Sequence, residues 1–265
     1  MKYCRFQQNG RAEYGLVESL AGRDEITRLF VKPPDEGAEA EDLPTKAIPR
    51  LPLAEAKLLV PVRPSKIVCV GRNYRAHAAE LGNEVPTEPL LFFKPPSSLL
   101  PTGGDIRRPR ISQRTDFEGE LAVVMGRRCH QLSADADVRP LILGYTVLND
   151  FTARDIQKKD SQWTRGKGFD TFCPVGPLVT DEIDPWAGVD VETRVNGDVR
   201  QHGSTRDFIF PLEVVIRYIA DVMTLEPGDV IATGTPEGVG PVVAGDVIEV
   251  AVAGVGTLRN RVVDE

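Results

Sequence analysis

The sequence predicts a strand-rich α+β protein with few helices and a small N-terminal β unit. Three observations carry this. Short apolar runs, Lys66 to Val70, Leu121 to Met125 and Leu141 to Leu148 among them, are separated by Gly and Pro, the punctuation of strands. Turn triplets stand directly before apolar runs near the end of the chain: Pro227-Gly228-Asp229 before Val230-Ile231-Ala232, and Ala244-Gly245-Asp246 before Val247 to Val250. Helical spacing is clear only from Pro211 to Met223, where Leu212, Val215, Ile216, Ile219 and Val222 recur on one face behind a leading proline.

In chain order, Tyr3 to Gln7 and Tyr14 to Glu18 read as strands about the turn dipeptide Asn9-Gly10, a hairpin signal. The stretch from Lys32 to Pro52 is proline-rich and acidic without either period, as expected of an exposed connector. The predicted organisation is therefore a small N-terminal β domain with its linker over residues 1–60 and a second domain over residues 61–265. Asn73 to Leu81 reads as a short helix capped by Asn73 and stopped by Gly82; it carries His77 and Glu80 on one face. The final third reads as a meander or barrel wall.

Composition removes several function classes. Of 265 residues 41% are apolar, enough for a sizeable core. Lys and Arg number 32 against 39 Asp and Glu, a net charge of −7 without a long basic run, so no nucleic-acid partner is expected. No apolar run reaches the roughly 18 residues of a membrane span, and MKYCRFQQNG turns polar too early for a signal peptide. A cytoplasmic protein with no membrane partner is expected. Cys4, Cys69, Cys129 and Cys173 are too sparse for a disulfide framework and lack CxxC spacing. His77, His130 and His202 are far apart, so a metal should be held by oxygens.

The oxygens are easy to find. Glu118 and Glu120 open the strand Leu121 to Val124, and period two aims both the same way. Parallel carboxylates repel, which points to a cation between them; a solvated strand end is the alternative. Asp150 follows the strand Ile142 to Leu148 and precedes a helix start, so it is either a third ligand or a helix cap. Together the three make a hard site suited to Mg²⁺, with Mn²⁺ or Ca²⁺ as further fits. His77 alone is an ordinary packed or surface histidine, but a carboxylate three residues on orients an imidazole and raises its basicity. Lys167 stands between Gly166 and Gly168, which would let backbone approach a ligand unless this is a solvated loop. Thr233 to Gly238 offers hydroxyls and amides to an anion, or makes a tight turn; it has neither P-loop nor GxGxxG spacing.

GRNYRAHAAELG, LFFKPPSSL, DFEGELAVVMGRR, LGYTVLNDFTARDIQ, RGKGFDTFCPVGP and LEPGDVIATGTPEGVGP, in that order over roughly residues 61 to 262, resemble the fumarylacetoacetate hydrolase family, in particular its bacterial acylpyruvase and 2-hydroxyhepta-2,4-diene-1,7-dioate isomerase-like members. The resemblance implies a mixed β-sheet roll with few helices, a homodimer, and a Mg²⁺ or Mn²⁺ site held by Glu118, Glu120 and Asp150. It implies His77 and Glu80 as a water-activating pair on a lid, Lys167 as a further catalytic group, and Arg154, Gln157 and Thr235 as substrate-binding residues. The implied reaction is hydrolysis of a carbon-carbon bond in a small 2-oxo acid or dicarboxylate of the acylpyruvate type through a metal-stabilised enolate. The family also contains isomerases and oxaloacetate-type decarboxylases with the same site, and a non-catalytic divalent-ion-binding β module is an alternative of another class. Three carboxylates, one divalent ion and a dicarboxylate substrate leave about −3, for which Lys167 and Arg154 supply two compensating charges.

Overall fold

The structure, a computed structural model, describes residues 1–37, 43–80, 82 and 84–265. The N-terminal part supplies β1 (Lys2–Gln8), β2 (Arg11–Leu20), β3 (Arg23–Phe30), β4 (Thr45–Pro52) and β5 (Lys57–Leu59). There follow β6 (Ile67–Gly71), α1 (Arg75–Glu80), β7 (Leu90–Lys94), β8 (Leu99–Leu100), β9 (Asp105–Arg108), β10 (Thr115–Phe117), β11 (Gly119–Met125) and β12 (Ile142–Asn149). Next come β13 (Thr152–Ala153), α2 (Arg154–Lys159), α3 (Thr164–Lys167), β14 (Cys173–Thr180), β15 (Asp190–Val195) and β16 (Asp198–Ser204). The chain closes with α4 (Leu212–Val222), β17 (Val230–Ala232), β18 (Gly240–Val242), β19 (Val247–Val252) and β20 (Gly256–Asp264). The strand-rich α+β class with few helices is the observed one.

The largest sheet runs β4-β3-β2-β1-β14-β12-β11-β17-β6-β7, with β5 added on β1 and β8 on β14. It is mixed: β17 lies parallel to β6, whereas β11 is antiparallel to β12 and β17. The N-terminal strands join it through β1, where Lys2 pairs with Thr180 and Tyr3 with Val179. A short sheet β13-β10-β18 and a five-stranded sheet β16-β15-β19-β20-β9 complete the structure among the described residues.

β11 explains how the layers cohere. All seven of its residues are buried, as in a strand covered on both faces. Period two sends Leu121, Val123 and Met125 into a core shared with Val191, Val250 and Leu258 of the five-stranded sheet, and Ala122 and Val124 into a second core with Cys69, Val230 and Val179. At the other end of the chain, Asn9 (φ 49°) and Gly10 (φ 78°) are both left-handed, the conformation a two-residue hairpin with native twist requires.

Two expectations change. Residues 32–52 are not an exposed connector throughout, because Pro34–Glu36 form a 3-10 turn and β4 pairs antiparallel with β3 from Glu25–Pro52 to Phe30–Thr45. β4 is the outermost strand, so the missing amides of Pro49 and Pro52 can face away from the ladder; residues 38–42 lie outside the described residues. α1 spans Arg75–Glu80 and so begins two residues after Asn73, the expected cap. The Asn73 amide donates instead to the carbonyls of Phe210 (3.1 Å) and Thr233 (2.8 Å) and accepts from the Phe210 amide (2.8 Å). Leu81 lies outside the described residues. α4 matches its expected extent and buries Leu212, Val215, Ile216 and Ile219. No helix among the described residues is long and apolar enough to cross a membrane.

Candidate active site

Glu118 lies where β10 of the short sheet gives way to β11 of the large one, and three backbone contacts fix that junction. The Glu118 amide donates to the Asn149 side chain (3.0 Å), the Gly119 amide to Gln201 (3.0 Å), and the Asp150 amide to the Glu118 carbonyl (2.8 Å). Gly119 is required here, since a Cβ would stand 2.1 Å from the Thr193 hydroxyl and 2.8 Å from Val250. One carboxylate oxygen from each of Glu118, Glu120 and Asp150 lies within 4.8 Å of the others, and all three residues are buried. Asp150 caps nothing: α2 begins after Ala153 without a side-chain cap.

The cations around this cluster are already engaged. Lys167 Nζ donates to Glu118 (2.8 Å) and Asp150 (2.5 Å), and Lys94 Nζ to Asp150 (2.7 Å) and the Phe151 carbonyl (3.1 Å). Arg154 donates through Nε to Asp116 (2.9 Å), through Nη1 to Gln157 (2.6 Å) and through Nη2 to Glu118. Arg114 forks onto Asp116 at 2.9 and 3.1 Å. Burial opposes ionisation of Glu118, but Lys167 and Arg154 outweigh it and hold the carboxyl below the usual range. Burial likewise opposes the Lys167 ammonium, and Asp150 and Glu118 reverse it, so its pKa rises. Glu120 differs: burial, then the charges of Asp150 and Glu118, push its pKa up, and its hydrogen bond is to the Gly234 amide at 2.8 Å.

These contacts revise the charge count made from the motifs alone. Asp116, Glu118, Glu120 and Asp150 are balanced by Lys94, Arg114, Arg154 and Lys167. A divalent ion then leaves about +2, a match for a dianion rather than a deficit. The donor set fits such an ion: three buried carboxylates, one of them without a cationic partner, with the Lys167 ammonium bridging the other two. The triad could hold a hard metal ion.

His77 and Glu80 share one face of α1, with Nδ1 3.3 Å from Glu80 Oε2. The Glu80 carboxylate also accepts the Gly238 amide at 3.1 and 3.2 Å, which latches α1 to the turn after β17. His77, Glu80, Glu118, Glu120, Asp150, Arg154, Gln157, Lys167 and Thr235 line a single cleft of about 470 Å³. Phe92 and Trp163, ring centroids 5.2 Å apart, form its apolar wall.

Some local readings differ. Lys167 ends the one-turn helix α3, and its glycines serve packing: a Cβ on Gly166 would stand 2.9 Å from the Gln157 backbone, and one on Gly168 2.6 Å from the Thr164 carbonyl. The Thr235 hydroxyl donates to the Gly119 carbonyl (2.9 Å) and accepts from Gln201 (2.7 Å), tying the turn to the Glu118–Glu120 segment. Lys94, Asp116, Arg114 and Gln201 were missed. Asp116 continues the period of Glu118 and Glu120, a usable signal; the partners of Lys94 and Gln201 are remote in sequence, and nothing local marks them.

A family model described as Fumarylacetoacetate (FAA) hydrolase C-terminal matches residues 66–263, and one described as Rv2993c-like, N-terminal matches residues 1–61. The 2,4-didehydro-3-deoxy-L-rhamnonate hydrolase of Sphingomonas sp. (strain SKA58) is 38% identical over 280 residues, covering 99% of this chain and 96% of that one. The oxaloacetate tautomerase YisK of Bacillus subtilis (strain 168) is 42% identical over 224 residues, covering 79% and 74%. The solved structure of 2-hydroxyhepta-2,4-diene-1,7-dioate isomerase from Mycobacterium marinum superposes with a TM-score of 0.87 at 40% identity, covering 100% of this chain and 99% of that one.

Proposed function

The chain belongs to the fumarylacetoacetate hydrolase family, and from that premise we propose that it is a metal-dependent hydrolase cleaving a carbon-carbon bond in 2,4-dioxo acids of the acylpyruvate type. The observation that carries this is the His77–Glu80 pair in the same cleft as the carboxylate triad and Lys167. Glu118, Glu120 and Asp150 would hold Mg²⁺ or Mn²⁺, which when bound supplies Lewis-acid polarisation of the 2-oxo acid end.

The chain's own groups account for the rest. An ionised Glu80 accepts Nδ1–H of His77 and leaves Nε2 as the basic nitrogen, able to take a proton from a water attacking the 4-carbonyl. The bond between C3 and C4 then breaks, its electron pair moves toward the 2-oxo oxygen, and Lys167 stabilises that negative oxygen from its buried position. His77 returns the proton to C3, giving a 2-oxo acid and a carboxylic acid. Arg154, Gln157 and Thr235, which line the cleft, would hold the substrate.

The test is incubation with Mg²⁺ and a series of acylpyruvates; release of pyruvate supports the reading, and no turnover of any acylpyruvate overturns it. A second reading is isomerisation or tautomerisation of a 2-oxo acid, or decarboxylation of an oxaloacetate-type acid; its isomerase and tautomerase forms draw support from the names of the Bacillus and Mycobacterium relatives. It also draws support from His77 being only 4% exposed, since a shielded base suits proton shuttling. Turnover of oxaloacetate or a 2-hydroxymuconate-type diene without acylpyruvate cleavage selects it. We read the protein as a cytoplasmic homodimer: its cysteines are free and buried, and β7 ends the large sheet with Leu90 and Phe93 exposed. Light scattering should give about twice the 29.1 kDa chain mass; a monomer at micromolar concentration contradicts this.

A further inference from the structure

Resting on the 2-oxo acid reading above, we propose that Arg72 is a specificity-determining residue that receives a second, distal carboxylate, so that the cleft selects 2-oxo dicarboxylates over 2-oxo acids with an uncharged tail. Arg72 lines the cleft. The other cations close to the triad are committed: Lys94, Lys167, Arg154 and Arg114 each hold a carboxylate. Among the described residues Arg72 makes no hydrogen bond or ion pair. It is a permanently charged fork in the same cleft, and a planar guanidinium suits a carboxylate bidentately.

The backbone points the same way. Arg72 sits at φ 57°, a left-handed conformation that is uncommon for a residue with a side chain. Such strain persists only where the surroundings over-determine it, and here they do. Gly71 before it ends β6. Asn73 after it is held by hydrogen bonds to Phe210 and Thr233, while the Asn73 carbonyl accepts the Ile209 amide at 2.8 Å. The Thr233-Gly234 turn that grips Asn73 also presents the Gly234 amide to Glu120. One rigid unit therefore fixes the base of the Arg72 side chain relative to the triad, so little ordering cost remains on binding. Lys158 also lines the cleft and has no partner among the described residues, but it is exposed near the end of α2 and its backbone is not pinned in this way.

The test uses unreactive pairs matched in chain length: 2-oxoglutarate against 2-oxopentanoate, and 2-oxoadipate against 2-oxohexanoate, titrated calorimetrically into the Mg²⁺-loaded protein. Wild type should bind at least one dicarboxylate about tenfold or more tightly than its partner, as a charge-assisted pair warrants. Arg72→Gly, which suits the positive φ, should bring that ratio to within about twofold, and Arg72→Lys should retain part of it. A wild-type ratio near one for both pairs, or a ratio that survives Arg72→Gly, overturns the inference. Collapse in Lys158→Ala with survival in Arg72→Gly overturns it too and assigns the contact to Lys158. If none of the four acids binds, the 2-oxo acid reading fails, and this inference with it.

Discussion

The cleft has two walls built in different ways. The triad wall is made of strand ends: Glu118 and Glu120 flank the entry to a fully buried strand, Asp150 follows its neighbour, and Asn149, Gln201, Thr233 and Thr235 tie the segment to the large and the five-stranded sheets. The base wall is one six-residue helix, held by Glu80 on the Gly238 amide and preceded by the pinned Asn73. Binding and polarising a 2-oxo acid is common to every reaction this site is proposed to perform and sits on the rigid wall. The proposed water activation that would separate hydrolysis from proton transfer sits on the lightly anchored one. A fold can then change reactions through α1 while its triad stays as it is.

The largest expected effect comes from the rigid wall. Thorough chelation with EDTA should abolish all turnover, whatever the reaction, and Mg²⁺ or Mn²⁺ should restore it. Activity that persists after chelation removes the proposed role of Glu118, Glu120 and Asp150. Lys167→Ala should also depress every reaction, because the same oxygen becomes negative in each.

On the other wall His77→Ala should cost on the order of 10² to 10⁴ in acylpyruvate hydrolysis, the range for loss of a general base. Decarboxylation or tautomerisation should fall by less. If every activity falls equally, the two walls share one proton transfer and the contrast between them dissolves. Steady-state kinetics on an acylpyruvate and on oxaloacetate, with one enzyme preparation, separates these outcomes.

How much of this was legible beforehand follows the same division. Glu118, Glu120 and Asp150 each lie within two residues of a long apolar strand, so period and position located them. Lys94 escaped because its partner Asp150 is 56 positions away, brought near through the order β12-β11-β17-β6-β7, which no local pattern encodes. β4 escaped for another reason. An edge strand with two prolines shows neither alternation nor continuous burial, and its acidic approach reads as a linker.

A smaller effect tests the latch on the base wall. Gly238 has φ 95°, and a Cβ there would stand 1.9 Å from the Arg200 carbonyl, so Gly238→Ala must shift the turn and weaken its bond to Glu80. Turnover should fall roughly tenfold, the equivalent of about 1.4 kcal/mol, while calorimetric Mg²⁺ affinity stays within about threefold. A parallel loss of metal affinity would mean that the two walls move as one.

The gentlest probe is pH, acting on the single triad member without a cationic partner. Burial and the charges of Asp150 and Glu118 raise the pKa of Glu120 in the metal-free protein, whereas Glu118 is held below the usual range by Lys167 and Arg154 despite its burial. A metal ion requires the carboxylate, so below the raised pKa its binding must displace a proton from Glu120, while Glu118 is already ionised. Apparent affinity should therefore rise with pH, by at most about tenfold per unit for one proton, and level off once pH exceeds the metal-free pKa of Glu120. Calorimetry in buffers of different ionisation enthalpy reads the released proton directly. Glu120→Gln should bind the ion more weakly and lose this pH dependence, leaving a nearly flat profile. A wild-type profile that is already flat and releases no proton would show Glu120 ionised without the metal, with the four-against-four charge balance of the rigid wall already in place in the metal-free protein.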